Sequence, residues 1–204
     1  TSGNVLGFSD LIFFDGSGNI IPFNYDDGIC PPVCGSLTAN AKLEYDLYST
    51  GTCFTINEPG ITLDCDGYSI NFGSGTTPGV SGVKNPSFSG VTVKNCDIVD
   101  QNPSANINYG ISFASGADGG IIRDNSITTT NGYGIYLDDN NDNLLVNNDI
   151  ISVNNLEIYD DSGLTNKNNI EYHNDDGKIK WMDDSSGGFL MDLTLDGDVG
   201  FSSN

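Results

Sequence analysis

The sequence predicts an all-β solenoid, a stack of strand-built coils, and three observations carry that expectation. Asp, Asn and Gly dominate, with 24 Asp, 25 Asn and 26 Gly in 204 residues against only 4 Glu. These residues favour turns and left-handed backbone and weaken helix interiors, and no stretch shows a 3.6-residue apolar period. Apolar residues make up 37% and aromatic residues 10%, enough for a packed core. Finally, two short apolar motifs alternate along residues 51–170.

The repeat defines the central element. One motif reads GTCF (51–54), GVKN (82–85), GISF (110–113), GIYL (134–137) and NLEI (155–158). The other reads ITLD (61–64), VTVKNCDI (91–98), GIIRDNSI (120–127), NLLVNNDI (143–150) and GLTNKNNI (163–170). The two stay 8–10 residues apart while the repeat period falls from about 30 to about 20 residues, as expected of coils whose remaining side varies in length. Stacking the coils aligns Leu63, Val93, Ile122 and Leu145 in one apolar column, and Ile98, Ile127, Ile150 and Ile170 in another. A polar column of Cys96, Asn125, Asn148 and Asn168 lies between them, where amides can hydrogen-bond from coil to coil. At about 4.8 Å per rung, five coils would rise about 24 Å.

These motifs resemble those of right-handed parallel β-helix proteins of the NosD and pectate-lyase-like superfamily. The segment CGSL (34–37), followed by YDLYSTGTCFTI (45–56) and ITLDCDGYSI (61–70), resembles the first coil of secreted prokaryotic surface proteins of that kind. The resemblance spans residues 34–170 and implies a fold: all-β, a right-handed single-stranded parallel β-helix of about five coils with N- and C-terminal β-hairpin caps. It does not select a function, because the superfamily includes lyases, hydrolases, adhesins and structural proteins. It also implies a disulfide between Cys34 and Cys53, which occupy the matching positions and would close the first coil. Cys65 and Cys96 are a second candidate pair on successive coils, or equally two buried thiols, since their columns differ by one residue. Cys30 is then the odd thiol, free or linking subunits.

The ends depart from the repeat. In residues 1–33, Val5 to Phe14 and Ile20 to Phe23 flank Asp15-Gly16-Ser17-Gly18 and read as an apolar hairpin, either a cap or a strand donated to a neighbour. In residues 171–204, alternating strands flank Asn174-Asp175-Asp176-Gly177, a hairpin turn. Phe189 to Leu195 and Val199 to Phe201 follow as terminal strands. The chain stops soon after an apolar strand, which predicts a pairing partner or a continuing native chain.

Charge narrows the function classes. The formal charge is −21, with six Lys, one Arg (Arg123) and one His (His173), so nucleic acid, which needs phosphate contacts from basic side chains, is not an expected partner. No apolar run approaches the roughly 20 residues of a membrane helix. The chain begins at Thr1 with no leader pattern, so a signal peptide is expected to be already removed or never present. Five Cys in an acidic, Lys-poor chain place it in an oxidising, extracellular or cell-surface setting.

Catalytic readings find little support. A uronate lyase needs a basic residue, and Arg123 beside Asp124 reads as a surface ion pair. Paired carboxylates for glycoside hydrolysis are offered by Asp138 or Asp139 with Asp160 or Asp161 on successive coils, but adjacent Asp pairs are common in this composition. His173 falls on the polar face of a hairpin, and Cys30 and Cys34 enclose Pro31-Pro32 without further zinc ligands. Calcium is the one cofactor candidate: Asp138, Asn140 and Asp142 follow a D-x-N-x-D start with Asp149 at the twelfth position. Asn143 stands where the loop's Gly belongs, and the closing Glu is missing.

The sequence therefore predicts a non-enzymatic extracellular structural protein, a subunit of a self-assembling filament or surface layer. Assembly would bury Phe13, Phe14, Ile20, Ile21, Leu193, Leu195 and Phe201 between subunits. The alternative is a carbohydrate-active or carbohydrate-binding β-helix with a polysaccharide partner, which a lateral groove lined by Tyr and Asp would support.

Overall fold

A computed structural model describes residues 33–102, 107–154 and 157–160, together with the backbone of strand segments at 13–14, 20–21, 161, 169–172, 178–183, 188–194 and 199–200. The described residues form strands and turns and no helix. Strands β1 (Phe13–Phe14) and β2 (Ile20–Ile21) pair antiparallel as the N-terminal hairpin.

Each solenoid coil has three strands, not the two that the motifs mark. The coils are β3 (Gly35–Leu37), β4 (Ala41–Lys42) and β5 (Leu47–Tyr48); β6 (Phe54–Ile56), β7 (Thr62–Asp64) and β8 (Ser69–Phe72); β9 (Ser81–Asn85), β10 (Thr92–Lys94) and β11 (Asp97–Asp100); β12 (Tyr109–Phe113), β13 (Ile121–Arg123) and β14 (Ser126–Thr129); β15 (Tyr133–Asp138), β16 (Leu144–Val146) and β17 (Asp149–Ser152). β18 (Ile158–Asp161) and β19 (Asn169–Tyr172) begin a sixth coil. The second motif supplies two strands because the chain bends inside it. Asn95, Asp124 and Asn147 take left-handed backbone at φ of 52–55°, a conformation that Asn and Asp tolerate better than other side-chain-bearing residues.

Three parallel sheets result. Sheet I carries β18-β15-β12-β9-β6-β3, and sheet III carries β17-β14-β11-β8-β5. Sheet II runs β19-β16-β13-β10-β7-β4 and continues antiparallel through β20 (Lys178–Asp183), β21 (Gly188–Thr194) and β22 (Val199–Gly200). Leu63, Val93, Ile122 and Leu145 stack in register in sheet II, and Ile70, Ile98, Ile127 and Ile150 in sheet III. All eight are buried and, with Phe54, Phe72 and Phe113, fill the interior.

The register corrects three expectations. Ile170 is not in the sheet III column; it pairs with Leu144 in sheet II. Phe54 stacks on Val83 and Ile158 on Ile135, two residues away from the alignment by motif. For Phe54 and Ile158 the physical reason is a glycine. Gly82, Gly110 and Gly134 precede the inward residue in the middle coils, and a Cβ there would lie 2.1–2.5 Å from Ile98, Ile127 or Ile150 Cγ2. GTCF and NLEI lack that glycine in the strand, so inward apolar residues alone set their phase.

Candidate functional site

The corner between sheets II and III is built from a repeated pair. The first residue of the pair is left-handed, and the second, Cys96, Asn125 or Asn148, turns inward. Asn125 Nδ2 donates to Asn148 Oδ1 (2.9 Å) and Val93 O (3.1 Å), and its Oδ1 accepts from Cys96 N (3.0 Å). Asn148 Nδ2 donates to Ile122 O at 2.9 Å. These buried amides satisfy backbone groups that the bend would orphan. Asn168 lies outside the described residues.

In earlier coils the same corner is covalent. Cys65 and Cys96 form a disulfide there with Cα atoms 4.7 Å apart, and Cys34 and Cys53 form a second one elsewhere, at the entry to sheet I just before β3 and β6, with Cα atoms 4.5 Å apart. The one-residue offset of Cys65 is absorbed by a longer corner, in which Asp66 and Gly67 are both left-handed. Cys30 lies outside the described residues.

The calcium candidate is explained by corner geometry. Asp139 and Asp142 are left-handed, and each is followed by an inward Asn. Asn140 is fully buried: its Nδ2 donates to Phe113 O (2.8 Å), and its Oδ1 accepts from Asn143 Nδ2 (2.7 Å). Asn143 Oδ1 in turn accepts from Gly120 N at 2.7 Å. The D-x-N-x-D spacing therefore marks two turns. Asn140 faces the core, away from any surface cation that Asp138 and the exposed Asp142 would hold. Among the described residues no group of three or more His, Cys, Asp or Glu is placed to hold a metal ion.

The outer face of sheet I carries four half-buried tyrosines, which sequence reasoning did not single out. Tyr136 stacks in register on Tyr159, at 5.6 Å between ring centroids and 2° between planes. Tyr109 and Tyr133 form the neighbouring column at 6.1 Å. Two diagonal contacts, Tyr109–Tyr136 and Tyr133–Tyr159, are closest at 4.7 Å each. Burial first, then Tyr133 and Asp138, push the Tyr109 phenol above its usual value. Ser112 and the exposed Lys84 continue the outward Tyr136 column towards the N-terminal coils. The available signal was the doubled Tyr-Gly-Ile at 109–111 and 133–135. Asp138 and Asp161, from the carboxylate pairs considered for hydrolysis, are register partners at the end of this face.

Two carboxylates have shifted ionisation. Burial opposes ionisation of Asp64, but hydrogen bonds from Lys94 (2.7 Å) and Asn95 (2.9 Å) outweigh it and lower the pKa to about 2. Burial pushes Asp100 up, against donors from Asn108, Asn102 and Thr130. Its Oδ1 accepts from Asn108 Nδ2 and Asn102 N, both at 3.0 Å. Its Oδ2 and Asn108 Oδ1 are buried acceptors without a donor. Arg123 pairs with Asp124 at the surface, as expected.

The family described as "right-handed beta helix region" matches residues 48–195, most of the chain. The chain belongs to that family. A search of curated proteins and a search of solved structures each found no match. In this β-helix the two disulfides fit an oxidising, non-cytoplasmic compartment, and no helix among the described residues is long and apolar enough to cross a membrane. Of the terminal residues, Phe13, Phe14, Ile20, Ile21 and Leu193 lie in described strands whose side chains are not described. Leu195, Phe201 and His173 lie outside the described residues.

Proposed function

We propose that this β-helix is a non-enzymatic extracellular structural protein, a subunit that builds a filament or surface layer by joining terminal strands. One observation carries the reading: sheet II does not stop with the coils. It runs on through β20, β21 and β22, so the apolar C-terminal strands belong to the same nine-stranded sheet as the solenoid. A sheet with an edge strand at each end, here β4 and β22 among the described residues, is a template for pairing with another chain. Pairing unlike ends repeats from subunit to subunit and builds an open filament, or a ring where the rotation closes. The acidic flanks repel laterally, which favours growth along the axis.

Negative-stain electron microscopy of the purified chain tests this. Filaments or sheets are expected, and deletion of residues 178–204, which removes β20, β21 and β22, should leave the coils folded while abolishing assembly. Polymerisation of the truncated protein would refute strand donation.

A second reading, a glycan-binding β-helix, is favoured by the tyrosine face with Lys84 and Asp138. It predicts retardation of the protein in gels cast with a polysaccharide, lost in Tyr136→Ala. Against it, the tyrosine faces meet one another, which leaves less ring face for a sugar.

A further inference from the structure

The stitching between coils is uneven. Cys34–Cys53 joins the first coil to the second, and Cys65–Cys96 joins the second to the third. No described cysteine lies beyond Cys96. The tyrosine cluster begins where the cysteines end: Tyr109 lies on the fourth coil, Tyr133 and Tyr136 on the fifth, and Tyr159 on the sixth. The two closest ring pairs divide the four residues with none left over. Tyr109–Tyr136 spans the fourth and fifth coils, and Tyr133–Tyr159 the fifth and sixth.

We infer that this face is an oxidative modification site, at which Tyr109 couples to Tyr136 and Tyr133 to Tyr159 as dityrosine staples between coils. The co-reactant is a peroxide used by a peroxidase-type, one-electron oxidant. Each phenol loses one electron and one proton. The two phenoxyl radicals join through the ring carbons next to the hydroxyl-bearing carbons, and the hydrogens on the joined carbons move to oxygen to restore both phenols. One peroxide takes the two electrons and two protons and leaves as two waters. The rings are held side by side before oxidation, so coupling within the chain competes with collision between chains. An oxidising compartment that keeps the disulfides also exposes the phenols to such oxidants.

Exposure and proximity make opposite forecasts, which supplies the test. Tyr48 is 52% and Tyr68 37% exposed, more than the half-buried cluster. The full chain at low concentration is treated with peroxidase and hydrogen peroxide, and linked peptides are mapped by mass spectrometry. The expected product is a monomer lighter by two hydrogens per link, with peptides joined at Tyr109–Tyr136 and Tyr133–Tyr159. Tyr136→Phe should remove the first link and keep the second, and Tyr159→Phe the reverse. The linked protein should unfold at a higher temperature. Links mainly between chains, links through Tyr48 or Tyr68, or the same map from urea-unfolded chain would overturn the proposal.

Discussion

The second and third coils differ from the fourth and fifth at one corner, and the difference shows how a solenoid can hold one geometry with two chemistries. At the junction of sheets II and III the inward residues are Cys65 and Cys96, then Asn125 and Asn148. The covalent pair constrains the unfolded chain. The amide pair instead satisfies buried backbone groups in the folded state. The two meet where Cys96 N donates to Asn125 Oδ1, so the amide ladder starts on the last disulfide residue.

Asn125→Ala should be the most damaging change to this comparison. It leaves Cys96 N without its acceptor in the core and removes the Nδ2 donor that Val93 O and Asn148 Oδ1 share, at about 1–3 kcal/mol per lost partner. A loss of about 3–5 kcal/mol in urea unfolding is expected, and a loss below 1 would show that the ladder is dispensable. Replacing Cys65 and Cys96 together by Ser should follow, at about 3–4 kcal/mol for a 31-residue separation.

Gly110→Ala sharpens the packing side of the comparison. Its Cβ would sit 2.3 Å from Ile127 Cγ2 and 2.5 Å from Gly134 O, and the repacking should cost about 1–3 kcal/mol. Unchanged stability in thermal unfolding would contradict the close approach of strand and core.

The two carboxylates give smaller effects of opposite sign. Asp100 has a raised pKa in the fold, so its stabilising protonated form is full below about pH 4 and is lost as pH rises. Asp100→Asn keeps that neutral state and puts a donor in place of the lone Oδ2, near the lone Asn108 Oδ1. It should stabilise by about 1 kcal/mol at neutral pH, and the gain should shrink in acid. Asp64, lowered to about 2, contributes stability above about pH 4 that is lost as pH falls through about 2. Its pair with Lys94 is partly exposed, so Asp64→Asn should cost less than about 1 kcal/mol at neutral pH. Urea midpoints between pH 2 and 7 would check both signs.

The middle coils were readable because three requirements coincide in one motif: an inward aliphatic residue, a left-handed Asn or Asp, and an inward amide or thiol. Leu63 through Leu145 and Ile98 through Ile150 followed directly. The end coils fall out of phase with the motif alignment because GTCF and NLEI lack the strand glycine of the middle coils and inward burial alone sets their register, as Phe54 and Ile158 show. The Asp138–Asp142 segment looked like a calcium loop because a tight corner and a cation loop both use closely spaced Asp and Asn. Only the direction of Asn140 separates them, and a residue string does not record direction. The tyrosine face was missed because its members come from two outward columns that meet diagonally.

Amide hydrogen exchange before and after mild disulfide reduction tests the two-chemistry account most directly. Reduction should raise exchange in the first three coils, at amides such as Leu43 and Cys65, while Gly120, Asp149 and Leu144 keep their protection. A uniform rise along the whole solenoid, or a rise confined to the fourth and fifth coils, would contradict it.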